Sequence, residues 1–176
     1  MLNKLFLMVV AVAILAGCSS VPAKKDTALA PYTTLVVRPL SFEQTIYVNV
    51  ENDDKVELAN IKTSLLKSFN DEFEKYAMKL GYFEKVVFSD QPQPGALEVY
   101  PSITALNGGI RMLAYGIGTA AAKIVDPTTG KALGTVTASR TQNRPAWSTT
   151  VGTIEKLMAP LGEDIASGLP TVGKTL

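Results

Sequence analysis

The segment Gly168-Leu-Pro-Thr-Val-Gly173-Lys174-Thr175 satisfies the phosphate-loop pattern of a glycine, four residues, a glycine, a lysine and a hydroxyl side chain. In a working loop, backbone amides and the dipole of a following helix hold the phosphates while the lysine reaches their outer oxygens. That arrangement needs a strand before the loop and a helix after it. Here a helical pattern precedes it and only Leu176 follows Thr175, so no nucleotide binding is expected. Gly116-Ile117-Gly118 is a fragment of a dinucleotide fingerprint without its third glycine or following helix. Close backbone approach or a kink within a sheet accounts for it better.

Acid–base and metal chemistry find little to work with. The chain of 176 residues has no histidine, which removes the usual general base and the commonest metal ligand. The pairs Asp53-Asp54, Asp71-Glu72 and Glu163-Asp164 fall at helix starts and on polar faces, where solvation and dipole pairing explain them. No ligand cluster for a metal is expected, and no cofactor. The lone cysteine, Cys18, excludes an internal disulfide. The 17 basic and 16 acidic residues give a net charge of +1. Lys4 is the only charged residue before Cys18, so the chain from Cys18 onward is neutral, with 16 of each sign. A neutral protein has no general field to draw in nucleic acid, and none is expected as a partner.

Residues 1–17 read as an export signal. Lys4 supplies the positive start, and residues 5–16 run without a polar side chain, too short to span a membrane as a helix. The run ends in Leu15-Ala16-Gly17-Cys18, which resembles the lipobox of bacterial lipoproteins. The resemblance implies cleavage between Gly17 and Cys18, and palmitate-type acyl chains on Cys18 that hold the protein to a membrane. Ser19 rather than Asp at the next position implies the outer membrane, with the domain facing the periplasm. Residues 18–31 read as the lipidated N-terminus and a tether, whose extended span from Ser19 is at most about 45 Å. A single domain is expected over 32–169, with a tail over 170–176.

Within the domain, Thr34 to Arg38 is a β-branched strand stopped by Pro39, and Thr45 to Val50 alternates as a second. Leu58, Ile61, Leu65, Phe69, Phe73, Tyr76 and Leu80 recur every three or four residues, predicting one long helix after Asn52-Asp53-Asp54 and before a capping Gly81. Strands follow at 85–88, 96–106, 119–125 and 133–140. Asp126-Pro-Thr-Thr-Gly130 closes the last two as a hairpin with a bulge. Val151, Ile154, Met158, Leu161 and Ile165 predict a shorter helix, bent at Pro160. The expected fold is α+β, a two-layer sandwich of a mixed or antiparallel sheet with one long and one shorter amphipathic helix.

The order of these elements resembles that of a glycine-rich bacterial lipoprotein family defined by a domain of unknown function. The matching stretches are Leu80-Gly81-Tyr82-Phe83, Gly108-Gly109-Ile110-Arg111, Gly116-Ile117-Gly118 and Asp126-Pro-Thr-Thr-Gly-Lys131. The resemblance implies fold and location, without a mechanism. More loosely, the layout is similar to the curli secretion-channel lipoprotein and the lipoprotein activators of peptidoglycan synthases.

Between Arg111 and Lys123 lie eleven uncharged residues rich in Ala and Gly. They read first as a buried strand with a glycine bend. The alternative is a hairpin facing a partner or touching a membrane, with Ile110, Leu113 and Tyr115 as the candidate contacts. Trp147 reads as a core or domain-edge aromatic, or as a contact site if exposed. The functional expectation is a non-enzymatic binding or structural module of the envelope with a protein partner. The alternative is a subunit of an oligomeric secretion-channel or cell-wall-synthesis activator complex.

Overall fold

A computed structural model describes residues 28–172. Gly17 and Cys18, the tether up to Thr27 and the end of the phosphate-loop match from Gly173 lie outside the described residues. The chain folds as a two-layer α+β sandwich: a six-stranded mixed sheet covered on one side by helices.

The strands are β1 (Thr34–Val37), β2 (Ile46–Val48), β3 (Lys85–Phe88), β4 (Leu97–Asn107), β5 (Gly116–Val125) and β6 (Ala132–Gln142). Their order is β3-β1-β4-β5-β6, with β2 also on β4. β4, β5 and β6 form an antiparallel meander, in which β5 and β6 are the hairpin expected from the Asp126–Gly130 turn. β1 lies parallel to both β3 and β4, with Leu35 opposite Val86 and Leu97. β2 runs parallel to the far end of β4, Val48 opposite Asn107. β1 and β2 thus line the same edge of β4 in tandem, bridged by Ser41 opposite Ser102. The central place of β1 explains its apolar, β-branched composition, since both faces are covered there.

The expected long helix divides in two, α1 (Asn52–Asn60) and α2 (Lys62–Lys79), at Ile61, whose φ of −94° and ψ of 11° depart from helical values. Asp54 accepts a hydrogen bond from the Glu51 amide at 3.1 Å and caps the start of α1. Gly81, at φ +69°, closes α2 as predicted. The helix expected to be the shorter is α3 (Thr150–Gly168), whose 19 residues compare with 18 in α2, and it continues through Pro160. Thr149 caps it by accepting from the Gly152 amide at 2.9 Å.

One buried cluster joins α2, α3 and the covered face of the sheet, with Phe69, Phe73, Leu97, Ile124, Ile154 and Leu157 at its centre. Leu29 and Val172 belong to it, so the packed core extends beyond 32–169 at both ends. Glycines set the layer spacing. A Cβ on Gly118 would stand 3.0 Å from Leu161 Cδ1, and one on Gly116 2.5 Å from Thr153 Cγ2. The Gly116-Ile-Gly118 motif is therefore where α3 lies down on β5, the close approach expected from its spacing. Arg140 of β6 grips Asp164 of α3 through two 2.5 Å hydrogen bonds, and the Glu163 carboxylate beside Tyr76 of α2 raises the pKa of that phenol. The Glu163-Asp164 pair thus ties layers together rather than merely facing water.

The β5–β6 hairpin closes as expected: the Gly130 amide donates to the Asp126 carbonyl at 2.8 Å, and the register shifts between Ile124 and Val125. The Asp126 carboxylate accepts from the Thr129 hydroxyl and the Thr128 amide, which hold its pKa below the usual carboxylate value; a bond from Tyr32 adds to this. A depressed folded-state pKa contributes stability that is present above the unfolded value and lost as pH falls through the folded one. Asp126→Asn is expected to flatten the acid side of the stability profile below about pH 4. Urea melts of both proteins across that range check it, and superimposable profiles would refute it.

Candidate functional site

The two loops at the Asn107 end of the sheet form a tip. β4 leaves the sheet at Asn107, whose side-chain oxygen accepts from the Gly109 amide at 2.9 Å and turns the chain outward. Ile110 and Ala114 pair as an isolated bridge, and the chain returns to the sheet at Gly116. Met112 sits at φ +60°, a conformation that a non-glycine residue other than Asn or Asp seldom adopts. The second loop, residues 143–149, leads from β6 into α3 and passes beside the first.

Arg144 joins the two. It is 9% exposed. Its Nη1 donates to the carbonyls of Gly108 and Gly109 at 2.8 and 2.7 Å, and its Nη2 to the Thr150 hydroxyl at 2.8 Å. The Met112 amide donates in turn to the Arg144 carbonyl at 3.0 Å. A guanidinium fork of fixed geometry, carried by the second loop, therefore binds the outgoing segment of the first loop and the start of α3.

This platform presents apolar side chains to solvent. Met112 is 77% exposed, Leu113 84%, Tyr115 61% and Trp147 86%, and Ile110 is half exposed. The buried-strand reading of residues 110–122 is corrected: only 116–122 enter a strand, alternating between the helix layer and the open face, while 110–115 stand outside it. An uncharged run identifies apolar surface without saying whether the fold has room to cover it. No described element reaches over the tip, and Ile110, Leu113 and Tyr115 face outward, as do Met112 and Trp147. Ile46, Val48 and Ile117 extend this apolar surface onto the open face of the sheet. Single exposed apolar residues are ordinary; several displayed by two neighbouring loops are less so.

A second polar group escaped sequence reading. Glu98, 3% exposed, accepts from Arg38 Nη2 at 2.7 Å and from the Tyr100 hydroxyl at 2.5 Å. The Arg38 guanidinium lies 5.4 Å from the Tyr100 ring centroid and donates to the Asp90 carbonyl. The bond to Glu98 and partial burial raise the Tyr100 pKa, which keeps the phenol protonated at neutral pH. Both Glu98 oxygens are occupied, so the pair locks β1 to β4 and offers no free base. The alternation Leu97-Glu98-Val99-Tyr100 was the available signal, because it sets Glu98 and Tyr100 on one face.

A shallow groove between α1 and β2 is floored by Phe42, Leu58, Leu65 and Leu106, with Lys55 and Lys62 at its rim. Lys55 is engaged by the Tyr47 ring and by Asn52. Among the described residues there is no group of acidic or cysteine side chains that could hold a metal ion. No described helix is long and apolar enough to cross a membrane. Gly168 ends α3 and leads into a short 3-10 turn, Leu169–Thr171, so the phosphate-loop match follows a helix rather than a strand.

No family model matches the chain, and no curated protein matches it in sequence. Solved structures do share its fold. A PelC dodecamer from Paraburkholderia phytofirmans superposes with a TM-score of 0.50 at 12% identity, over 84% of this chain and 93% of that one. A DUF330 protein from Xanthomonas campestris gives a TM-score of 0.51 at 8% identity, over 85% and 91%. At these identities the likeness is one of architecture: the α+β sandwich described above is the fold of PelC and of a DUF330 protein.

Proposed function

We propose that this chain is a lipid-anchored, non-enzymatic module of the bacterial envelope that works by surface contact through its tip. The observation that carries the reading is the rigid display of Met112, Leu113, Tyr115 and Trp147 on a platform fixed by a buried arginine. A folded protein that holds apolar side chains in water, with polar atoms arranged to keep them there, has a contact to make. The lipobox resemblance at Leu15-Ala16-Gly17-Cys18 supplies the anchor, and acyl chains on Cys18 would confine the domain to a thin layer and raise its effective concentration for neighbours. The absence of histidine and the full engagement of Glu98 support a role without catalysis.

A second reading, a subunit of an oligomer in a secretion-channel or cell-wall-synthesis complex, draws support from the edge strands β3 and β6 and from the assembled state of PelC, which has this fold. Outer-membrane attachment with the domain in the periplasm fits both readings.

Cys18→Ser is the direct test of the anchor. The variant is expected to stay as unprocessed precursor or leave the membrane fraction, whereas the parent partitions into detergent and carries acyl mass on Cys18. A mature N-terminus at another residue, with a free thiol at Cys18, would remove the anchor from the proposal.

A further inference from the structure

We propose that the occupant of the apolar tip is a lipid bilayer surface, so that the domain is held to its membrane at two points, by acyl chains at one end and by the tip at the other. The inference rests on the reading of the tip as a contact surface and names what it contacts.

The side chains have the chemistry of an interfacial insertion. Leu113, Met112 and Ile110 supply apolar volume, while Trp147 and Tyr115 carry the amphipathic rings that settle at headgroup depth. Residues 108–116 and 143–149 contain no carboxylate, and Arg111 is exposed among them. A protein partner would be expected to leave some acceptor or acid at the rim, whereas an anionic bilayer asks for the reverse. Glu51 and Asp54 line a groove with Ile110 and Arg111, which confines the acids nearest the tip to its α1 flank.

The sheet directs the same chemistry toward one side. Ile46, Val48 and Ile117 are exposed on the open face next to the tip. Farther along, that face of β4 to β6 is lined by Ser and Thr, with Lys123 exposed. Its one carboxylate, Glu98, is bound to Arg38 and Tyr100. The acids of α1, α2 and α3 lie on the opposite layer.

The chain before the described residues, by its length, favours one way for the domain to lie. It joins at Ala28, near the start of β1, and Leu35 faces Leu97 at the beginning of β4. The tip springs from Asn107 at the other end of that 11-residue strand, about 35 Å away. The ten residues 18–27 span at most about 35 Å. A domain standing upright on its tether would hold the tip far from the bilayer. Laid with its open face down, it brings the tether exit and the tip to the same surface without stretching the tether.

Trp147 is the chain's only tryptophan, so its fluorescence reports on the tip alone. The test uses the full mature chain with Cys18→Ser, which removes acyl anchoring, mixed with vesicles of phosphatidylethanolamine and phosphatidylglycerol. The emission is expected to shift to the blue and become shielded from aqueous quencher as lipid is added. Leu113→Asp should weaken this at least about tenfold, the size expected for one leucine side chain returned to water. Met112→Asn separates docking from folding. It removes an apolar contact but suits the positive φ, so it should weaken vesicle binding while leaving the melting temperature unchanged or higher. An emission spectrum indifferent to vesicles overturns the proposal. So does a blue shift that follows protein concentration without lipid, which would make a second copy the occupant. A domain that ignores lipid yet cross-links through Leu113 to an envelope protein in cells would also overturn it, leaving the contact reading intact.

Discussion

Gly162→Val is expected to destabilise the domain by about 3 kcal/mol or more, among the largest effects any single substitution should have. Gly162 lies where α3 crosses α2, and a Cβ there would stand 2.2 Å from the Phe69 carbonyl oxygen and 3.2 Å from the Phe73 amide nitrogen. Both obstacles are backbone, so no rotamer change relieves them. The helices would have to separate over a surface that includes Phe69, Phe73, Met158 and Leu161, all fully buried. Urea unfolding of the parent and variant gives the difference directly. A midpoint equal to that of the parent would show that the α2–α3 contact is not the tight one described.

Arg144→Met should cost about 3 kcal/mol, by a different route. Methionine replaces the stem of the arginine but leaves the carbonyls of Gly108 and Gly109 and the Thr150 hydroxyl without the donor they share. A buried acceptor deprived of a charged donor loses more than an average hydrogen bond. The damage should be uneven. Amide exchange should rise most at Met112, Leu113 and Ala114, whose bonds close the tip, and least in β4 and β5. Arg144→Lys should not rescue it, because a single ammonium cannot reach three acceptors spread across a loop and a helix start. Uniform protection loss across the sheet would mean that Arg144 supports the core rather than the tip.

Much of the fold was legible because the strongest patterns are local. The apolar spacing from Leu65 to Leu80, the Asp126–Gly130 turn and the capping Gly81 each depend on neighbours a few residues away, and each appears as expected. The break at Ile61 was hidden because Leu58, Ile61 and Leu65 keep helical spacing across it. The parallel placement of β1 between β3 and β4 was not readable, since composition announces a strand without naming its neighbours. The tip shows the same limit. Ile110, Leu113 and Tyr115 stood out as apolar and uncharged, but their display depends on Arg144, far along the chain, which nothing nearby marks as a partner. Trp147 carried an open alternative for the same reason.

The central position of β1 has a consequence for the order in which the molecule can be built. The chain delivers Thr34–Val37 first, yet both partners of that strand come later, β3 at Lys85 and β4 at Leu97. Until then an apolar, β-branched segment has no native edge to join, and closing it requires loops of roughly fifty and sixty residues. Parallel pairing across such separations is slow and leaves the segment open to wrong partners. A chain of this design stays open until its later strands are available and becomes compact only then, so its topology itself sets when folding can finish.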